Sequence, residues 1–96
     1  MNELEFLRTL EQVIEERITA AGEQSYTARL AAAGPLAVAQ KLGEEGIETA
    51  LAAVAETPER VVAEAADLIY HLLVLLQLRG LTLADVVVEL ERRHQA

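Results

Sequence analysis

The sequence predicts an all-α protein, a four- to five-helix bundle in a single domain spanning residues 1–96. Three observations carry that expectation. Ala, Leu, Glu and Arg dominate, all strong helix formers, and aromatics are only 3% of the chain, too few for the aromatic and β-branched alternation of strands. Apolar residues recur at three- and four-residue steps, the period of a helix with one buried face. Both prolines, Pro35 and Pro58, stand where a helix can open, since a proline costs nothing in the first turn.

Taken in order, Leu7, Leu10, Val13, Ile14 and Ile18 mark a first helix from about Glu3 to Ala20, closed by Gly22. Residues Glu23 to Gly34 lack sustained apolar spacing and read as a linker. Within it, Thr27 to Ala33 can make a short helical turn capped by Ser25 or Thr27. Pro35 opens a second helix that runs to about Ala55. Thr57 as N-cap, Pro58 at the first position and Glu59 at the positive end of the dipole start a third, which reaches about Arg79 before Gly80 stops it. Thr82 caps a last helix with Leu83, Val86, Val87 and Leu90 on one face, ending near Arg93.

A chain of 96 residues buries only about 60 to 65% of the surface it would expose unfolded, so a partner subunit is expected to help. Cysteine is absent, which removes disulfides and thiolate metal sites and fits a reducing, cytoplasmic setting. Glu3 and Glu5 stand where a signal peptide would carry positive charge. The most apolar stretch, Leu68 to Leu78, is interrupted by His71 and Gln77 and falls short of the roughly 20 residues that span a bilayer. Sixteen acids against eight bases give a formal charge of −8, which disfavours nucleic acid and anionic membranes as partners. A phosphorylated small molecule remains compatible, because a divalent cation reverses the local field at an acidic site.

Two acidic clusters concentrate the chemistry. At 100° per residue, Lys41, Glu44, Glu45 and Glu48 share one side of the second helix, and Arg60, Glu64, Asp67 and His71 stack on one side of the third. A solvated face is the ordinary reading of such stripes, but the phase here opposes it. Continuing the third-helix stripe past His71 leads to Val74, Leu75 and Leu78, so the carboxylates share a face with the core. On the second helix, Leu36, Ile47, Leu51 and Val54 flank the stripe on one side and Val38 and Leu42 on the other, which sets it in a groove. Facing carboxylates at about 6 Å repel by roughly 3 kcal/mol per pair, and a bound cation removes that cost. All-oxygen ligands on neighbouring helices suit magnesium, with manganese as a substitute, and magnesium keeps sites open for water and phosphates. A di-iron bundle needs Glu-x-x-His on two helices, and that pairing is absent, His94 standing at the fraying C-terminal end. His71 is either a ligand or a hydrogen-bonding residue that orients a carboxylate.

The order and spacing, Glu44-Glu45-x-x-Glu48 followed by Glu64-x-x-Asp67, resemble the all-α nucleotide pyrophosphohydrolase (MazG-like) superfamily. Three segments narrow the resemblance to its phosphoribosyl-ATP pyrophosphatase family: Ser25-Tyr26-Thr27-Ala28-Arg29-Leu30, Gln40-Lys41-Leu42-Gly43-Glu44-Glu45, and Glu64-Ala65-Ala66-Asp67-Leu68-Ile69-Tyr70-His71. The likeness extends over nearly the whole chain, from Arg17 to Val74-Leu75-Leu76, Gly80-Leu81 and Asp85-Val86. Gly46 departs from the more usual Ala, which loosens the second helix by about 1 kcal/mol without removing a functional group.

The resemblance implies magnesium-dependent hydrolysis of phosphoribosyl-ATP to phosphoribosyl-AMP and pyrophosphate, with Glu45, Glu48, Glu64 and Asp67 at the metal positions and Glu44 as the additional acid beside them. Glu44 is the candidate to hold or activate the attacking water, the cation itself being the alternative activator. Lys41, the only lysine, either pairs with Glu45 or reaches a substrate phosphate. Ser25, Tyr26, Thr27 and Arg29 supply hydroxyls and a cation suited to a ribose phosphate, or else cap the short helix; His71 joins the substrate-binding set. The third helix is apolar almost all round, which predicts a homodimer packed through it. Two other readings stay open: a pyrophosphohydrolase of the same superfamily acting on another nucleotide, and a non-enzymatic helical interaction module.

Overall fold

The computed structural model describes residues 2–19 and 25–95. Among them are five α-helices and one 3-10 turn: the turn at Glu3–Glu5, α1 at Phe6–Thr19, α2 at Tyr26–Ala33, α3 at Pro35–Ala55, α4 at Pro58–Leu78 and α5 at Leu83–Arg93. The all-α class therefore holds. The expected first helix begins as a tighter turn capped by Asn2, whose side chain accepts from the Glu5 N–H at 2.9 Å. The stop expected at Gly22 lies outside the described residues. The linker is more ordered than its apolar spacing suggests: α2 has 8 residues, and Ser25 Oγ caps it by accepting from the Ala28 N–H at 3.0 Å.

Helix ends follow local chemistry. Gly34 joins α2 to α3 with φ at +96°, a backbone state that a side chain resists. Thr57 Oγ1 accepts from the Arg60 N–H and starts α4. At the far end of α4, the Leu81 N–H reaches Leu76 O at 2.8 Å and the Gly80 N–H reaches Gln77 O at 3.0 Å, a Schellman closure that puts Gly80 at φ +72°. Thr82 and Asp85 then exchange side-chain and backbone bonds in a capping box, and Glu11 of α1 accepts from the Leu83 N–H at 2.8 Å, tying α5 to α1.

The core sits where the first four helices meet. Ile14 of α1, Leu30 of α2, Val38 of α3 and Leu73 and Val74 of α4 are buried together, with Leu7, Leu10, Ile18, Tyr70, Leu75, Leu78 and Leu83 against them. The long antiparallel neighbours α3 and α4, 21 residues each, form the principal interface. Helix α4 is, as a whole, long and apolar enough to span a bilayer, so counting only Leu68 to Leu78 understates its length. In the fold it is the central member of the bundle, with α3, α1 and α2 packed on it. The groove expected around the acidic stripe of α3 is closed on one flank only. Val38 is fully buried, but Leu36 is 84% and Val54 87% exposed, with Ile47 and Leu51 also open.

Candidate metal and substrate site

Because α3 and α4 run side by side, their acidic stripes meet. Glu45, Glu48 and Glu64 each bring a carboxylate oxygen within 4.8 Å of the others. Glu48 is exposed, whereas Glu45 and Glu64 are only 6% and 8% exposed, so two of the three charges are drawn out of water. Each buried carboxylate is met by a cation one turn earlier on its own helix. Lys41 Nζ lies 3.7 Å from Glu45 Oε1, and Arg60 Nη2 bonds Glu64 Oε1. The other oxygen of each, Glu45 Oε2 and Glu64 Oε2, is sealed from solvent and has no hydrogen-bond partner.

That pattern is electrostatically unfinished. Burial raises the Glu64 pKa above its ordinary value of 4.5, the neighbouring Glu48 carboxylate and Asp67 raise it further, and Arg60 only partly opposes them. Three carboxylates against two cations leave one net negative charge; Asp67 brings the set to two, the charge that one divalent ion cancels. Asp67 and Glu44 are exposed and lie outside the tight group of three. The orphaned buried oxygens and the all-oxygen donor set fit a hard divalent cation. A thiophilic metal would find no suitable ligand, because the chain has no cysteine.

One turn beyond Asp67, α4 meets the start of α2. His71 is 5% exposed. Its Nδ1 lies 2.7 Å from the Asp67 carbonyl, so in the neutral ring Nδ1 donates there and Nε2 accepts from the Tyr26 hydroxyl at 2.8 Å. The hydroxyls of Thr27, buried to 1% exposure, and Tyr70 bond each other. The His71 ring stands edge-on to Tyr26 and Tyr70, with centroids 5.9 and 5.4 Å away. Burial, then the nearby Tyr26, raise the Tyr70 pKa while Arg17 lowers it, which keeps its proton available for hydrogen bonding at neutral pH.

The structure thus brings together most of the residues singled out by sequence, in two adjoining groups. Lys41, Glu45, Glu48 and Glu64 form one; Tyr26, Thr27 and His71 form the other, joined through Asp67. Ser25 acts as the α2 cap, and Arg29 lies exposed on α2. Two contributors have no role that the sequence alone assigns. Arg60 falls on the acidic stripe, but its hold on Glu64 depends on a rotamer that spacing does not give. Tyr70 stands out only as a neighbour of His71, and its bond to Thr27 depends on how α2 crosses α4.

Known proteins resemble this chain over most of its length. The family model for phosphoribosyl-ATP pyrophosphohydrolase matches residues 7–94. The phosphoribosyl-ATP pyrophosphatase of Pyrobaculum calidifontis is 61% identical over 87 residues, covering 91% of this chain and 93% of that protein. Its counterpart in Pyrobaculum islandicum is 57% identical over 89 residues, covering 93% and 95% respectively. The histidine biosynthesis bifunctional protein HisIE of Escherichia coli strain K12 is 54% identical over 90 residues, 94% of this chain but 44% of that longer protein. The match from α1 through α5, at identities this high, means that the chain belongs to the phosphoribosyl-ATP pyrophosphohydrolase family.

Proposed function

We propose that the chain hydrolyses the α–β phosphoanhydride of phosphoribosyl-ATP, releasing phosphoribosyl-AMP and pyrophosphate. Family membership supports the substrate. The observation that carries the chemistry is the pair of buried, unpartnered carboxylate oxygens on Glu45 and Glu64 at the meeting of two acidic stripes. Glu45, Glu48, Glu64 and Asp67 would hold magnesium, with manganese as a substitute. When bound, such an ion neutralises phosphate charge and makes a water easier to deprotonate.

In this reading the chain's own groups do the rest. Glu44, exposed at the edge of the stripe, takes a proton from the water whose oxygen attacks phosphorus; the P–O–P bond breaks and pyrophosphate departs with the bond's electron pair. Lys41 contributes charge to the phosphates beside the cluster. Ser25, Tyr26 and Arg29 on the α2 side bind the phosphoribosyl end; Thr27 and His71, expected from sequence to bind it too, are buried with their polar atoms taken by Tyr70, Tyr26 and the Asp67 carbonyl, and support the others from behind. The Tyr26–His71 and Thr27–Tyr70 bonds hold α2 against α4, so these donors are fixed before substrate arrives.

Pyrophosphate release from phosphoribosyl-ATP, measured with and without magnesium in the wild type and Asp67→Asn, tests the proposal. Activity should require the cation and fall by at least about 100-fold in the variant. Undiminished turnover in Asp67→Asn overturns the site, and faster turnover of ordinary nucleoside triphosphates than of phosphoribosyl-ATP overturns the substrate.

The working unit we propose is a homodimer packed through α4 and the adjoining face of α3. Leu36, Ile47, Leu51 and Val54 fall on one stripe of α3, and Val62 and Ile69 on one stripe of α4, all open in the single chain. The radius of gyration is 14.5 Å, against about 12.5 Å for a compact chain of this length. Light scattering that shows only monomer at micromolar concentration would contradict the dimer.

A further inference from the structure

Each half of the acidic cluster sets a cation beside a buried acid. On α3, Lys41 lies 3.7 Å from Oε1 of Glu45, an ion pair without a hydrogen bond; on α4, Arg60 bonds Oε1 of Glu64. In both, Oε2 alone is left buried and unpartnered. Arg60 is itself steadied from the other side, its Nε lying 3.4 Å from Glu56 Oε1, so the guanidinium bridges an exposed acid and a buried one. Most i,i+4 ion pairs lie wholly at the surface and contribute little. Here the acidic side chain is only 8–10% exposed while the basic one is about half exposed, so each cation reaches inward from solvent to a buried oxygen.

The geometry points to Arg60 as a positioning residue that limits the buried Glu64 carboxylate to one free oxygen and so selects the smaller divalent cation. This selectivity rests on the cluster holding a divalent ion, as proposed above. Magnesium takes six ligands in near-octahedral geometry and suits carboxylates that give one oxygen each. Calcium takes six to eight, and gains when a carboxylate can give both. Glu64 Oε1, already bonded to the Arg60 guanidinium, is not free to be the second. Calcium is therefore denied ligands that magnesium does not need, without any change in cavity size.

Charge and oxygen availability lead to different outcomes. Neutralising Arg60 strengthens attraction for every divalent ion by the same factor, because magnesium and calcium carry the same charge. Freeing Glu64 Oε1 favours calcium alone. Calorimetric titration of the full chain with magnesium chloride and with calcium chloride, substrate absent, reads both. In Arg60→Met, which has no donor for Glu64, the magnesium-to-calcium affinity ratio should fall about tenfold, the scale on which groups behind a metal ligand act. Arg60→Lys, which keeps a donor and the charge, should restore most of the wild-type ratio. Equal shifts for both ions in Arg60→Met overturn the inference while leaving the metal site intact; a wild type that binds neither ion overturns both. Circular dichroism on the same samples confirms that the half-exposed substitution leaves the helices folded.

Discussion

Replacing Glu64 by Gln should make the protein more stable without divalent ions and nearly blind to them. Glu64 is 8% exposed, one oxygen is held by Arg60, and the other has no partner. Its pKa is raised above 4.5 in the fold, chiefly by burial and then by Glu48, so the native state binds its proton more tightly than the unfolded chain does. The stabilisation from the protonated form is fully present below 4.5 and is lost as pH rises through the higher folded value. In EDTA, the wild-type melting temperature should carry this downward contribution on moving from about pH 4.5 towards neutrality; the Glu64→Gln variant, neutral at this position throughout, should lack it and melt higher near pH 7. Magnesium, bound as proposed, should reverse the ranking. At a concentration of about 100 times Kd it should stabilise the wild type by about 2.7 kcal/mol, which for a domain this small is a rise of roughly 11–22 °C. Loss of a direct ligand should weaken binding by at least about 100-fold, so the same magnesium concentration then stabilises by only about 0.4 kcal/mol, or roughly 2–3 °C. Thermal melts of both proteins at one fixed protein concentration, with EDTA and with magnesium, across about pH 4.5 to 7.5, make the comparison. Equal magnesium-induced shifts in the two proteins would refute the reasoning.

Two further substitutions probe the scaffold. Val38 is fully buried where α3 meets the core, and Val38→Ala removes two methyl groups, so stability should drop by about 2–3 kcal/mol and the melting temperature by roughly 10–20 °C in a thermal scan. Ser25→Ala deletes the α2 cap, which should cost about 1 kcal/mol or roughly 4–8 °C, with Ser25→Asp recovering the loss because a carboxylate caps equally well. If KM for phosphoribosyl-ATP also rises in Ser25→Ala and Ser25→Asp fails to restore it, Ser25 touches substrate as well as capping the helix.

Much of the helical layout is legible because it is written in local chemistry. Thr57-Pro58, Gly80 and Thr82-x-x-Asp85 each end or begin a helix through bonds within a few residues, and each does so where the spacing predicts it. The start of the first helix is harder to read, since a 3-10 turn and an α-helix share the same apolar spacing over so few residues. Helix α2 is undervalued by its sequence for a related reason. Its stability comes from Thr27 and Leu30 buried against other helices, a contribution that a run of Tyr-Thr-Ala-Arg-Leu does not advertise.

The site shows the same division at finer scale. Helical phase puts Glu44, Glu45, Glu48, Glu64 and Asp67 on faces that run toward the core, yet only Glu45 and Glu64 are buried there, while Glu44, Glu48 and Asp67 stay exposed. Phase does not say which of two oxygens on a carboxylate is taken. That depends on the rotamers of Lys41 and Arg60, which spacing does not fix. Sequence spacing makes the i,i+4 pairs Lys41–Glu45 and Arg60–Glu64 equivalent to the surface pair Arg93–Glu89, yet only the first two bury an acid. Two buried carboxyls with an unpartnered oxygen apiece are unfavourable in a fold built only for stability, and glutamine at both positions would lower that cost with almost no change in volume. Carboxyls at these two buried positions are what the proposed magnesium site would require, and the glutamine variants test that requirement directly.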